Sequence, residues 1–248
     1  MIKARGISKY HGRVQVLADV DVTLAAGRSL GLLGTNGAGR TTLLNILATL
    51  VRPTSGHLDI DGTDALRYPF RVRPDLGFVP QVPAFHGDMT VGELLEFAAA
   101  MRVPAPGKAG PPVHTEPVCD GLDRAMPLSA LSAGSGQKVA LAAALARGPR
   151  LLLLDEPLSH LDPMAASRVH GVLRDFHAQG GTVVMACNRA ADVEALCDEV
   201  AFFHRGRLLR TTEIGRSGLD IGAVFQSLVQ EDSLVREDHR PGRAGRDR

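Results

Sequence analysis

The feature that most constrains this chain is a glycine-rich loop between a short apolar strand and an amphipathic helix. The loop reads GTNGAGRT from Gly34 to Thr41, an apolar run precedes it at Ser29–Leu33, and Thr41–Leu50 carries leucines at helical spacing. Glycines allow a tight turn in which successive backbone N–H groups point inward, and the start of the helix adds its dipole. A strand, a loop and a helix in this order predict a phosphate-binding loop.

One position of the loop departs from the usual phosphate-binding pattern. Residue 40 is arginine, where a lysine normally supplies a compact charge to the β- and γ-phosphates. The guanidinium keeps the charge, but it is longer, planar and forked, so it cannot occupy the same space. We therefore expect Arg40 to leave phosphate binding in place, because backbone N–H groups make most of the contacts, and to disturb the geometry at the γ-phosphate. The hydroxyl of Thr41 is suited to coordinate Mg²⁺.

A second motif puts two adjacent carboxylates at the end of an apolar run. Leu151–Leu154 predicts a buried strand, and Asp155 and Glu156 follow it directly. Asp155 suits Mg²⁺, either directly or through a water. Glu156 is positioned to orient or deprotonate an attacking water. Beside a phosphate-binding loop, this pair indicates catalytic acids rather than a helix cap and a surface charge.

Segments of strand length alternate with segments of helix length through most of the chain. Past residue 128 the predicted strands and helices are Gly136–Arg147 (helix), Leu151–Leu154 (strand), Met164–Gln179 (helix), Thr182–Ala186 (strand), Ala190–Leu196 (helix) and Glu199–Phe203 (strand). This order predicts βαβ units and a mostly parallel sheet covered on both faces, which is an α/β fold. Ile2–Ile7 and Val14–Leu24 predict two further strands. The helix after the loop is predicted to bury one leucine face, formed by Leu43, Leu44, Leu47 and Leu50.

Composition excludes several classes of protein. The 248 residues carry a formal net charge of +1, which gives no overall field for attracting nucleic acid, so no nucleic-acid partner is expected. No apolar run approaches the ~18 residues that a membrane-spanning helix needs, and the start MIKARGISKY lacks the apolar core of an export signal. Three scattered cysteines favour reduced thiols in a cytosolic protein. The histidines lack ligand spacing, so protein-bound zinc has no support.

Four segments together closely resemble the nucleotide-binding subunit of ABC transporters. They occur in the order and spacing of that family, over about Ile2 to Leu228: GTNGAGRTT, GFVPQ, LSAGSGQKVALAAAL and LLLLDEPLSHLDP. The resemblance implies a P-loop NTPase with a RecA-like core, an N-terminal antiparallel β-subdomain and an inserted helical subdomain. The segments ATLVRPTSG and LDIGAVFQSL are most similar to the drug-export branch of the family.

The resemblance also implies roles for individual residues. Glu156 and Asn188 would act in catalysis together with Gln81, which would also touch Mg²⁺ beside Thr41 and Asp155. The ATP would contact a set of residues that spans the whole chain: Tyr10 or His11 on the adenine, Val16, Gly34, Thr35, Asn36, Gly37, Ala38, Gly39, Arg40, Thr41, Thr42, Ser132, Gly134 and Asp162. Which of the two aromatic rings stacks on the base stays open, and a surface-loop role for both is an equal alternative.

Two further positions depart from the family pattern. The signature is close to LSGGQ in the family, and here Ala133 adds a methyl group where the backbone should approach a nucleotide bound by the opposite subunit. The switch histidine is replaced by Asn188, which can donate a hydrogen bond but cannot carry charge or shuttle a proton. With Arg40, three departures bear on one phosphate, and they predict slow hydrolysis although Asp155 and Glu156 are intact.

Three functions are compatible with this pattern. The first is the ATP-binding subunit of an export system, an ABC-type ATPase that couples hydrolysis to transport through a separate membrane permease. The second is a catalytically weakened subunit with a structural or regulatory role beside a competent cassette, and the third is a cytosolic ABC protein of translation or DNA repair. The family pattern implies ATP and Mg²⁺ as cofactors, a second cassette in a homo- or heterodimer, and a cytoplasmic location on the inner face of the membrane through the permease.

The chain divides into a cassette and a tail. Residues 1–230 are predicted to form the cassette, with the helical subdomain at about 85–148, and residues 231–248 a charged, disordered tail. Within the helical subdomain, Thr90 and Glu93 predict a capping box for a helix over Val91–Met101. The proline-rich stretch 103–117 predicts a loop.

Overall fold

A computed structural model describes residues 1–85, 88–102, 116–215 and 220–238. Within these ranges the chain forms ten β-strands and eight α-helices. The strands are β1 (Ile2–His11), β2 (Val14–Leu24), β3 (Ser29–Gly34), β4 (Ser55–Ile60), β5 (Thr63–Asp64), β6 (Leu76–Val79), β7 (Leu151–Asp155), β8 (Thr182–Cys187), β9 (Glu199–His204) and β10 (Arg207–Glu213). The helices are α1 (Arg40–Leu47), α2 (Pro69–Val72), α3 (Val91–Ala100), α4 (Glu116–Cys119), α5 (Ala133–Ala146), α6 (Pro163–Ala178), α7 (Ala190–Leu196) and α8 (Ile221–Asp238).

The strands form two sheets. The first is antiparallel, with the order β2-β1-β4-β5. The second has the order β10-β9-β3-β8-β7-β6, and all of its pairs are parallel except β9 with β10. Strands β3, β7 and β8 are buried along their whole length, as expected for parallel strands covered on both faces. The predicted α/β fold, with an antiparallel N-terminal subdomain and an inserted helical subdomain, is confirmed.

Two large apolar cores lie on opposite faces of the parallel sheet. One packs the antiparallel sheet and α1 against it, around residues such as Ile7 and Leu43. The other packs α5, α6, α7 and α8 on the opposite face, around Phe176 and Phe202. A small third core, around Val91 and Val139, holds α3 to α5 in the helical subdomain. The predicted capping box is present, since the side chain of Glu93 accepts from the backbone N–H of Thr90 at 2.8 Å.

The helix after the glycine loop is shorter than predicted. α1 ends at Leu47, because Thr49 adopts a left-handed backbone with φ of 59° that a helix cannot continue. Leu50 is therefore 58% exposed instead of lying on the buried leucine face, while the other three leucines of that face are buried. Its backbone N–H turns back to the carbonyl of Asn45 at 2.9 Å.

The C-terminal helix extends beyond the predicted start of the tail. α8 continues through residue 231 to Asp238, and residues 239–248 lie outside the described part. Residues 231–238 are therefore helical and not disordered as predicted, because a charged segment can continue a helix that is anchored upstream. Here the anchor includes Phe225, whose ring stacks on Phe202 with centroids 6.0 Å apart. The predicted loop at 103–117 falls mostly outside the described residues, and the backbone of 116 and 117 belongs to α4.

In the described ranges, every helix is either too short or too polar to cross a membrane.

Candidate nucleotide site

The glycine loop, Gln81, Asp155 and Asn188 lie at one edge of the parallel sheet. The glycine loop leaves the carboxyl end of β3, and Asp155 is the last residue of β7. Gln81 follows β6 by two residues, and Asn188 comes directly after β8. Because parallel strands end at the same edge, residues far apart in the chain meet there, and this edge is where ligands bind in open α/β sheets.

The glycine loop has the tight turn that its sequence predicts. The N–H of Ala38 donates to the carbonyl of Thr35 at 3.1 Å, and Gly37 and Gly39 have φ of 76° and 100°. Gly39 also approaches β2 closely, since a Cβ there would lie 2.7 Å from the carbonyl oxygen of Val16. Glycine is therefore required at this position both by its φ and by the space available.

A cavity of about 430 Å³ opens over this loop. Its wall combines the loop with residues from three other parts of the chain: Val16, Asn36, Gly37, Ala38, Gly39, Arg40, Thr41, Thr42, Gln81 and Glu156. Neither Gly34 nor Thr35 reaches this wall. Gly34 is buried at the end of β3, where a Cβ would lie 2.5 Å from the carbonyl oxygen of Phe203.

Asp155 is a buried carboxylate beside the start of α1. Its side chain is 2% exposed and hydrogen-bonds to Thr41. Burial raises the pKa of Asp155, while the Thr41 hydrogen bond and the charge of Arg40 act in the opposite direction. A hydroxyl and a carboxylate in contact offer oxygen ligands of the kind that Mg²⁺ binds, and Gln81 lines the same cavity as Thr41.

Glu156 points into the cavity from a strained backbone. Its φ is 48°, an uncommon conformation for a side chain other than glycine, and its N–H donates to the carbonyl of Ala186 at 3.0 Å. Burial raises the pKa of Glu156, and the nearby Arg40 charge and a hydrogen bond from the backbone N–H of Asn188 partly oppose the rise. A carboxylate with a raised pKa inside a cleft is suited to take a proton from water.

Arg40 contacts Glu156 across the cavity. Its Nη1 lies 3.1 Å from Oε1 of Glu156, and the two side chains are only 7% and 10% exposed. At this distance, with both groups charged, the contact is a buried ion pair. The arginine that departs from the family pattern is therefore directed at the carboxylate of Glu156.

The signature segment forms the start of α5. Ser132 caps this helix, because its hydroxyl accepts from the N–H of Ser135 at 3.1 Å. A second cavity, of about 470 Å³, is lined by Ser132, Ala133 and Gln81 among others. Gln81 lines both cavities and so connects the signature side with the loop side.

Asp162 caps another helix. Its Oδ1 accepts from the backbone N–H groups of Met164 and Ala165, both at 2.9 Å, at the start of α6. These bonds, the one from Ala165 foremost, hold the pKa of Asp162 below its usual value. The residue thus fixes the segment between Glu156 and α6.

Tyr10 and His11, the aromatic residues predicted to contact adenine, do not line the cavity. Tyr10 and His11 lie at the turn between β1 and β2, where Tyr10 is 43% exposed. Of the three residues predicted to contact the base, Val16 alone lines the cavity.

Among the residues that line the second cavity, His160 was not predicted from the sequence. His160 lines that cavity, and its Nδ1 lies 2.9 Å from the hydroxyl of Ser159, which in turn donates to the carbonyl of Glu156 at 3.0 Å. A Cβ at Gly134 would lie 2.6 Å from the carbonyl oxygen of His160. His160 lies in the segment SHLD, in which the family resemblance assigned a role only to Asp162.

Comparisons with known proteins agree with this geometry. The family model described as ABC transporter matches residues 17–159, more than half of the chain. The chain is 30% identical over 218 residues to the lipopolysaccharide export system ATP-binding protein LptB of Acidithiobacillus ferridurans, covering 84% of this chain and 88% of that protein. It is 32% identical over 222 residues to the ribose import ATP-binding protein RbsA 2 of Rhizobium etli, covering 86% of this chain and 44% of that protein.

A solved structure shares the fold. The dimeric structure of a bacterial ABC transporter cassette superposes with a TM-score of 0.75 and 23% identity, covering 87% of this chain and 99% of that one. The relatives include both an export and an import system, so these matches identify the family and not the drug-export branch. The chain belongs to the ABC transporter family and is an ABC-type ATPase cassette.

Proposed function

We propose that this chain is the ATP-binding subunit of an export system and couples the binding and hydrolysis of ATP to transport through a separate membrane permease. The observation that carries the proposal is the cavity over the glycine loop, whose wall unites that loop with Gln81 and Glu156. A triphosphate fits this wall chemically, because backbone N–H groups and the guanidinium of Arg40 offer donors to phosphate oxygens.

The same site suits Mg²⁺ bound together with ATP. Thr41, Gln81 and Asp155 would hold the ion, which would neutralise charge on the phosphate oxygens. The protein's own residues would position the nucleotide and activate the water. The loop orients the triphosphate, and Glu156 orients a water molecule and accepts its proton. Asn188 would donate a hydrogen bond to the γ-phosphate, and Tyr10 or His11 would contact the adenine.

A second cassette would complete the site. In the head-to-tail pairing of the family, Ser132 and Gly134 of one cassette face the nucleotide on the loop of the other. In a homodimer, both sites would combine Arg40, Asn188 and Ala133. In a heterodimer, the first two would fall in one site and Ala133 in the other. We favour the heterodimer on this symmetry argument. A solved relative of the same fold is a dimer.

The export assignment rests on two segments. ATLVRPTSG follows α1, and LDIGAVFQSL leads into α8. Both are similar to the drug-export branch, and the relative LptB is named for lipopolysaccharide export. Through the permease, the cassette would sit on the cytoplasmic face of the membrane. Co-purification from the native host tests the assembly: recovery of this cassette in two copies with one membrane protein would contradict the heterodimer, and recovery with no membrane protein would contradict the permease.

Nucleotide binding and hydrolysis are tested on the purified chain. Calorimetry should detect binding of Mg-ATP, because the backbone donors of the loop are intact; absence of heat at millimolar nucleotide would contradict the proposal. Phosphate release should be slow and should disappear in Glu156→Gln. If the wild type and Glu156→Gln release phosphate equally, the weakened, structural or regulatory subunit becomes the better function. The contact between Arg40 and Glu156 is the observation that favours this second candidate.

A further inference from the structure

The ion pair between Arg40 and Glu156 joins the phosphate loop to the proposed catalytic base. Nη1 of Arg40 lies 3.1 Å from Oε1 of Glu156, inside the wall of the loop cavity. With both side chains at most one-tenth exposed, water screens the pair weakly, and removal of one partner would leave a buried charge without compensation. Arg40 can therefore leave Glu156 only when a new anionic partner takes over its guanidinium.

Arg40 is the partner that can change contacts. Glu156 is held through its backbone, by its N–H on Ala186 and by its carbonyl, which accepts from Ser159. Its carboxylate also accepts from the backbone N–H of Asn188. The guanidinium of Arg40, by contrast, lies at the end of a long flexible side chain, and its Nη1 reaches Glu156 at 3.1 Å. A guanidinium in this condition would gain strongly from phosphate oxygens, which it binds in a planar, two-pronged geometry.

We propose that Glu156 sets the nucleotide affinity of this cassette by holding Arg40, so that polyphosphate binding and release of the catalytic carboxylate are one exchange. In the free protein, Arg40 neutralises Glu156. When a di- or triphosphate enters, its oxygens take over the guanidinium, and Glu156 becomes available to a water molecule. Glu156 is therefore a positioning residue for nucleotide binding in addition to its proposed catalytic role, on which this inference rests.

The exchange depends on arginine at position 40. A lysine would present a single compact ammonium on a shorter stem, which suits the phosphates but reaches Glu156 less well and cannot bind two oxygens in one plane. The contact between Glu156 and the side chain at position 40 should therefore be lost in Arg40→Lys. This gives the inference a double-mutant cycle, in which the effect of removing Glu156 is measured with and without its arginine partner.

The test measures ADP binding by calorimetry in the presence of Mg²⁺, because ADP requires no hydrolysis and carries no γ-phosphate. Glu156→Gln should tighten ADP binding on the order of tenfold. In the Arg40→Lys background, the same change should alter affinity by no more than about twofold. Glu194→Gln removes an identical charge from the exposed face of α7 and should leave the affinity unchanged.

A shorter carboxylate separates the contact from general charge effects. Glu156→Asp keeps the negative charge but withdraws it by one methylene group, so it should also tighten ADP binding if the hold on Arg40 matters. Unchanged ADP affinity in both Glu156 variants, or an equal gain in the Arg40→Lys background, would overturn the inference. Absence of ADP and ATP binding in every variant, with normal thermal unfolding, would instead refute the proposed nucleotide site.

Discussion

Gly134 in the signature segment is predicted to be intolerant of even one methyl group. It lies in the first turn of α5, and its φ is outside the left-handed region, so alanine would be acceptable to the backbone itself. The obstacle is tertiary, since an added Cβ would lie 2.6 Å from the backbone carbonyl oxygen of His160. A backbone atom cannot rotate away, and the change Gly134→Ala must therefore push α5 and the segment around His160 apart.

The size of the effect follows from two opposing terms. Replacing glycine by alanine in a helix stabilises it by up to about 1 kcal/mol. Forcing an extra methyl group into a close-packed contact costs about 1–3 kcal/mol. Gly134→Ala should therefore lower the free energy of unfolding by up to about 2 kcal/mol, with the melting temperature falling by roughly 2–4 °C per kcal/mol.

Gly136→Ala is the matched control, because it lies two residues further along the same helix. A Cβ at Gly136 would meet only the ring of Phe85, at 3.4 Å, and that side chain can adjust. Gly136→Ala should therefore keep some of the helix gain and unfold at or above the wild-type midpoint. The assay is urea denaturation followed by circular dichroism, which is the suitable probe because the chain has no tryptophan.

A second readout connects the contact to function. Gly134→Ala displaces the signature relative to the segment that leads to Asp162, so it should also reduce ATP turnover, whereas Gly136→Ala should leave turnover close to wild type. If the two variants show the same stability within about 0.5 kcal/mol, or if Gly134→Ala is the more stable, the inferred backbone contact is wrong.

Three further predictions concern the site and the stability of the chain. Arg40→Lys and Asn188→His should each raise phosphate release, by on the order of 10²-fold at most, because both restore groups that stabilise charge on the γ-phosphate; a loss of turnover in both would contradict the weakened-site interpretation. Gly171→Ala should raise the free energy of unfolding by about 0.5–1 kcal/mol, since Gly171 lies inside α6 and a Cβ there meets nothing within 4 Å; an unchanged urea midpoint would contradict it. Burial alone would raise the pKa of Asp198, but hydrogen bonds from Ser29 and the charges of His177 and Arg28 lower it below its usual value. The stability that Asp198 contributes is therefore present above about pH 4. It is lost as the pH falls through the lowered pKa. Asp198→Asn should make the free energy of unfolding less dependent on pH below about pH 4. An unchanged pH dependence in that range would contradict the role of Asp198.

The parts of the site that sequence predicted are those with a local cause. The glycine loop turns because of its own glycines, and the capping box joins Thr90 and Glu93, which are three positions apart in the chain. Asp155 and Glu156 lie at the end of an apolar run of four leucines, which predicts a buried strand. Each of these features is specified by neighbours in the chain, so it could be identified before any tertiary contact was known.

The contacts that decide how the site works join residues distant in the chain. Arg40 begins α1 and Glu156 follows β7, and nothing near position 40 indicates that its guanidinium meets this carboxylate. The close approach of Gly134 to His160 likewise depends on how α5 packs beside the segment after β7. Sequence alone determined the family and the α/β fold, because short-range patterns encode them. Only the tertiary structure decided which charges face one another, because that depends on the packing of strands and helices that the parallel sheet brings to one edge.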